Sequence, residues 1–268
     1  MKYSYRYIIE NRRPQNANWA RKIGDKYVLM TVISKALSPV PVYVFLNIGL
    51  HPDTITLASF FFVILSFIFF IGGNALLAVL AMLIFALLDS VDGDMARCTR
   101  PTKYGGILDS FGADLFYALM PLGVGYYLFS KDVAVIGFSP VCILLVSALV
   151  SLSFILYRLI NTKVLKFRQS LNDDSVNHSA VAKDSLNAKG LVRLLEWYRH
   201  VLLRGNFFSE PGLIFWFAVL LLLNADSILA WYLVAVLLYN LGYLLTNFVG
   251  AYVFFKSIDK VDKSNRII

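Results

Sequence analysis

Charge is scarce in this chain: Asp, Glu, Lys and Arg make up 16% of 268 residues, against 58% hydrophobic. That balance excludes an ordinary soluble domain, in which about a quarter of residues carry charge. Cysteine is nearly absent. Cys98 and Cys142 build no disulfide framework and read as two unpaired thiols. The three histidines, His51, His178 and His200, are scattered, and no Cys/His spacing of zinc-site type occurs. The first 27 residues lack an apolar core segment, so no cleavable signal peptide is expected. Internal repeats are missing as well.

Long apolar runs are what the chain has instead. Stretches able to cross about 30 Å of hydrocarbon occur near 54–72, 75–96, 105–129, 134–157, 211–225 and 228–255, the fifth short and softened at its start by Pro211-Gly212. Gly72-Gly73-Asn74 makes a tight hairpin between the first two; Lys131-Asp132 and Asn224-Ala-Asp226-Ser close the other outer connections. With the N-terminus inside, every one of the 25 Lys and Arg except Lys131 falls on the cytoplasmic side or in its interface. The +8 net charge is then membrane-surface charge, and no basic stripe interleaved with aromatics argues for nucleic acid.

Residues 28–50 are apolar enough to compete as a span, but contain Lys35, Ser38, Pro39 and Pro41. A span there would invert the later loops. The expectation is therefore an amphipathic interfacial helix over 17–37 followed by a Pro-broken interfacial stretch. Residues Leu191–Leu203 show a second amphipathic stripe within a polar loop at about 160–210. The expected fold is an all-α integral membrane protein of six transmembrane helices preceded by a cytoplasmic amphipathic helix. It divides into a cytoplasmic segment 1–52, a membrane domain 53–256 and a tail 257–268. Both termini should lie in the cytoplasm, the expected host is the inner membrane, and Thr54 is a candidate cap for the first span.

One segment carries chemistry. Asp89-Ser-Val-Asp92-Gly93-Asp94-Met-Ala96-Arg97 ends the second apolar run. A charged side chain within a membrane costs at least ~2.5 kcal/mol unless partnered, so carboxylates there default to a functional site. Asp89, Asp92, Gly93, Ala96 and Arg97 stand at i, i+3, i+4, i+7 and i+8, one helix face with two hard oxygen ligands, two nearly absent side chains and one fixed cation. A metal ion and a nucleotide diphosphate would need such a face. Asp94 lies off it, where a solvent or Arg97 contact is favoured over metal ligation. Gly105-Gly106-Ile-Leu-Asp109-Ser110-Phe-Gly112-Ala-Asp114 follows a short turn at the inner start of the third span.

Together these residues resemble the signature of the CDP-alcohol phosphatidyltransferase family, D-x2-D-G-x2-A-R-x8-G-x3-D-x3-D. Asp89 to Arg97 matches every fixed position of its first half. The second half is displaced. Counted from Arg97 it lands on Gly106, Ser110 and Asp114; counted from Gly105 it gives Asp109, with the final Asp one residue late. His51-Pro-Asp53-Thr-Ile-Thr56 is similar to the family's P-N-x-[IV]-T, with Asp53 where Asn is usual.

The resemblance implies a metal-dependent phosphotransferase of phospholipid or related biosynthesis, acting on a CDP-linked donor and an acceptor alcohol within the membrane and releasing CMP. Asp89, Asp92, Asp109 and Asp114 would hold Mg²⁺ or Mn²⁺. Asp89, Asp92, Gly93, Ala96, Arg97 and Gly105 would bind the CDP group, and Asp114 would deprotonate the acceptor. Four carboxylates converging without Lys or Arg among them would require such a cation. Lys103, Arg158 and Lys163 are candidates for a phosphate on the acceptor, and a homodimer fits the reading. Asp109 and Asp114, five apart, diverge by about 140° on a regular helix. A π-type turn eased by Gly112 is favoured to bring both to one site, over a regular helix with Ser110 in the third position. The competing functions are a divalent-cation transporter and a non-catalytic membrane scaffold.

Overall fold

The computed structural model describes residues 3–12, 26–99, 104–133, 139–174 and 197–265. Among these residues every regular element is helical. The elements run α1 (Tyr5–Asn11), α2 (Leu29–Leu37), α3 (Pro39–Asn47), α4 (Pro52–Ile71), α5 (Ala75–Cys98), α6 (Gly105–Ser130) and α7 (Pro140–Asp174). A π-helix (Tyr198–Phe208), α8 (Glu210–Leu222) and α9 (Asp226–Asn265) complete the order.

Five helices, α4 to α7 and α9, are long and apolar enough to cross a membrane; counting two bent pairs as spans raises the number to seven. The expected six are therefore not a fixed count. At 13 residues, α8 reaches only about 20 Å by itself. It follows the π-helix at a 45° bend. The 28–50 stretch is likewise a bent pair, α2 and α3, meeting at 41°. Ser38 joins them and Pro39 opens the second, where a missing N–H does no harm. Of the expected 17–37 helix, residues 13–25 lie outside the described residues, as do residues 191–196 of the second amphipathic stripe.

Sequence explains the boundaries of the first hairpin. Pro52 sits at the first helical position of α4 and His51 caps it, its ring accepting the Asp53 N–H at 3.3 Å. The cap is thus His51 rather than Thr54, because proline can start the helix three residues earlier. Gly73 takes φ +72° and Asn74 caps α5, as a tight hairpin requires. At the same end, the turns at Asp132 and Asn224 both take positive φ. Lys131 and Asp226 pair across these turns at 3.0 Å.

α4 packs on α5 and α6, α6 on α7, and α7 on α9, around a core that includes Phe85, Phe116, Met120, Phe217 and Leu229. Phe85 and Phe116 stack with centroids 5.5 Å apart. Leu57, Phe61, Ile64 and Ile68 remain exposed along one face of α4, a large apolar stripe that only lipid would cover. With several helices of spanning length and this apolar stripe, the chain is an integral membrane protein.

Glycine sets two close approaches that bear on function. A Cβ at Gly112 would stand 2.7 Å from the Phe60 ring, so this glycine lets α4 and α6 meet. It does not ease a distortion, for α6 is regular α-helix from Gly105 to Ser130 and the expected π-type turn is absent. At Gly212 a Cβ would lie 2.6 Å from Asn206 C and Phe207 N. Those are backbone atoms, which no rotamer change can clear. Gly212→Ala is therefore expected to cost ~1–3 kcal/mol and to lower the melting temperature in detergent. An unchanged melting temperature would show that the bend is not tight.

Candidate active site at the end of the second and third spans

The helix face read from sequence opens onto a cavity of about 750 Å³, within the size range of small-molecule sites. Asp89, Asp92, Gly93, Ala96 and Arg97 line it from α5, and Gly105, Gly106 and Asp109 from α6. Three elements absent from the expected site complete the wall. α2 contributes Ser34 and Lys35, α4 contributes Asp53 and Thr56, and the first turn of α8 contributes Glu210. The cavity thus holds Lys35, which sequence reading did not place there, as well as the expected Arg97 beside its carboxylates.

Asp92 is 6% exposed, and its Oδ2 has no hydrogen-bond partner. A buried carboxylate oxygen without a donor is costly unless a cation or ligand donor completes it. Asp89 stands within electrostatic reach of Asp92, Asp109 and Glu210. Among the described residues, however, no three His, Cys, Asp or Glu side chains are gathered tightly enough to form a ready metal cluster. The donor chemistry, carboxylate oxygens with one orphaned atom, fits Mg²⁺ or Mn²⁺.

Arg97 is fixed before any ligand arrives. Its Nη2 donates to Asp94 Oδ1 at 2.6 Å and its Nε donates to the Arg12 carbonyl at 2.6 Å. Asp94 is only 2% exposed and also accepts the Ser38 hydroxyl at 2.6 Å, with Arg12 Nη1 3.6 Å away. Of the two contacts expected for Asp94, solvent or Arg97, the structure has Arg97, and burial rules out solvent. A Cβ at Gly93 would meet Arg97 Nη2 at 3.3 Å, so glycine leaves the guanidinium its place.

Asp114 goes elsewhere. On the regular α6 it shares a face with Ser110, not with Asp109, and it pairs with Arg158 of α7. Arg158 Nη2 also donates to Ser110 Oγ at 3.1 Å. These groups line a second cavity of about 210 Å³, together with Tyr117, Tyr157, Asn161, Arg204, Asn240 and Tyr243. The expectation that Asp114 joins Asp89, Asp92 and Asp109 at one metal site does not hold in this geometry. Ser110 does not replace Asp109 there either: the carboxylate that α6 gives the main cavity is Asp109.

A π-helical segment does exist, but at Tyr198–Phe208, where it carries Arg204 into the second cavity. Arg204 Nη2 donates to Tyr157 Oη at 2.8 Å and Nη1 to Tyr243 Oη at 3.1 Å. Of the other expected acceptor residues, Lys163 is exposed and lines neither cavity, and Lys103 lies outside the described residues.

Comparison with known proteins meets the same residues. Residues 49–171 match the CDP-alcohol phosphatidyltransferase family model. That stretch, a little under half of the chain, is thus similar to a domain whose family transfers substituted phosphate groups from CDP-alcohols. It is also similar to the inner membrane protein YnjF of Escherichia coli (strain K12), at 41% identity over 75 residues, 28% of this chain. The match spans about a third (36%) of that relative's length. No solved structure gives a match.

Proposed function

We propose that this protein is a divalent-metal-dependent phosphotransferase of the membrane. It moves a phosphatidyl or other phospho-alcohol group from a CDP-linked donor, such as CDP-diacylglycerol, to an acceptor hydroxyl with release of CMP, in phospholipid or related biosynthesis. One observation carries the reading: Asp89, Asp92, Asp109, Gly93, Ala96 and Arg97, the residues of the family signature, line a single cavity.

Asp89, Asp92 and Asp109 would hold Mg²⁺ or Mn²⁺, which when bound neutralises diphosphate oxygens and the departing nucleotide phosphate. The protein's own groups do the rest. Gly93 and Ala96 leave the α5 face bare, so a nucleotide can lie against the helix backbone. Arg97, held rigid by Asp94 and the Arg12 carbonyl, presents its planar guanidinium to phosphate without losing freedom on binding. Lys35 adds a second cation on the facing wall.

The second cavity, with Arg158 and Arg204, suits an anionic group on the acceptor. Such a group would draw Arg158 from Asp114. The excess of Lys and Arg at this end of the bundle supports a cytoplasmic site and cytoplasmic termini.

The test is CMP release by purified protein from a panel of CDP-alcohols with Mg²⁺ or Mn²⁺, repeated in sealed membrane vesicles of both orientations. The expected result is metal-dependent release in inside-out vesicles only. No release from any donor would reject the enzymatic reading, and release confined to right-side-out vesicles would reverse the orientation.

A further inference from the structure

The family signature ends in a carboxylate four residues after its third Asp. Here that register, Gly105-x3-Asp109-x3, falls on Ala113, on the Asp109 face one turn along α6. Asp114 cannot step in, because it faces the second cavity and is paired with Arg158. Beyond Asp89, Asp92 and Asp109 the main cavity has two more carboxylates: Asp53, which sits beside the His51 ring at 3.4 Å, and Glu210, brought in at the start of α8.

Its position is what the missing group would need. Asp109 lines the main cavity while Ser110 lines the second; Ser209 lines the second while Glu210 lines the main one. The wall between the cavities is therefore the α6 segment and the 209–210 junction. The Glu210 N–H donates at 2.8 Å to Tyr117 Oη, and Tyr117 lines the second cavity. Glu210 also stands within electrostatic reach of Asp109 on one side and of Arg158 on the other. An acceptor anchored at Arg158 and Arg204 and a donor diphosphate lying along α5 would meet at this wall.

We propose that Glu210 is the general base of the transfer, taking over from the absent fourth carboxylate of the signature. This assignment rests on the phosphotransferase reading above. As the acceptor oxygen forms its bond to the β-phosphorus, its proton passes to the Glu210 carboxylate. The bond from that phosphorus to the bridging oxygen breaks, and CMP leaves with the electron pair.

General-base assistance contributes about 10²- to 10⁴-fold. Glu210→Gln is therefore expected to lower kcat for CMP release at least ~100-fold, while CMP affinity, measured by calorimetry, stays within about threefold. Asp114→Asn should instead raise the acceptor KM more than it lowers kcat. Adding Ala113→Asp to Glu210→Gln should recover at least about tenfold of the lost rate. A Glu210→Gln protein with kcat within tenfold of the parent would overturn the proposal. So would parallel loss of CMP binding, or an Ala113→Asp protein that is active with Glu210 yet does not rescue the double variant. Wild-type protein is the control: if it releases no CMP from any donor, the functional reading fails, whereas release by wild type and Glu210→Gln alike removes only Glu210.

Discussion

Asp92→Asn is expected to abolish CMP release while leaving the protein folded. Asp92 is buried at the end of a membrane helix, its Oδ2 has no protein partner, and it lines the cavity with Asp89 and Asp109. Asn keeps the volume but removes the charge, so binding of a divalent ion should fall with activity. A loss of at least ~10²-fold is the scale for removing one preorganised electrostatic group at a phosphoryl-transfer site. Stability should hold or rise, since an uncompensated buried charge opposes folding. The measurements are CMP release, Mn²⁺ binding and thermal unfolding in detergent. Activity near that of the parent would reject Asp92 as a metal ligand; unfolding would assign it a structural role.

Asp94→Ala should have the opposite signature: a large loss of stability. Asp94 lies between Arg97 and Arg12 and accepts the Ser38 hydroxyl. Removing it leaves two guanidinium groups in a largely buried site with no counter-charge. Breaking a buried pair by deleting one partner costs about 3–5 kcal/mol. The same change releases Arg97, so surviving protein should show a raised KM for the CDP donor. A melting temperature within a degree or two of the parent would refute the network's role. Asp92 and Asp94, two residues apart, thus separate cleanly into a ligand-facing and a structural carboxylate.

That separation was legible in sequence, because a helix turns 100° per residue and puts Asp94 off the Asp89–Asp92 face. The apolar runs likewise marked the long helices, and Gly73-Asn74 marked their hairpin. What failed had one physical root: partners supplied from distant segments. The expected π-type turn rests on the cost of an Asp near the membrane edge without a role. Asp114 has its partner in Arg158, 44 residues away, so the regular helix carries no such penalty. Lys35 falls in a stretch read as interfacial, and periodicity alone does not show that its helix also forms a cavity wall. Glu210 sits at the start of a short, softened run, where nothing in periodicity ties it to Asp109.

The family match begins at residue 49 and ends at 171, yet Arg12, Lys35, Ser38, Arg204 and Glu210 all lie beyond it. Grafting the matched stretch into a relative would therefore transplant the nucleotide-reading face without its brace, its second cation or the wall toward the acceptor. Choice of acceptor should travel with the flanks. In chimaeras, exchange of residues 197–222 would be expected to change which alcohol is used, while exchange within 89–109 would change whether any CDP compound is used at all.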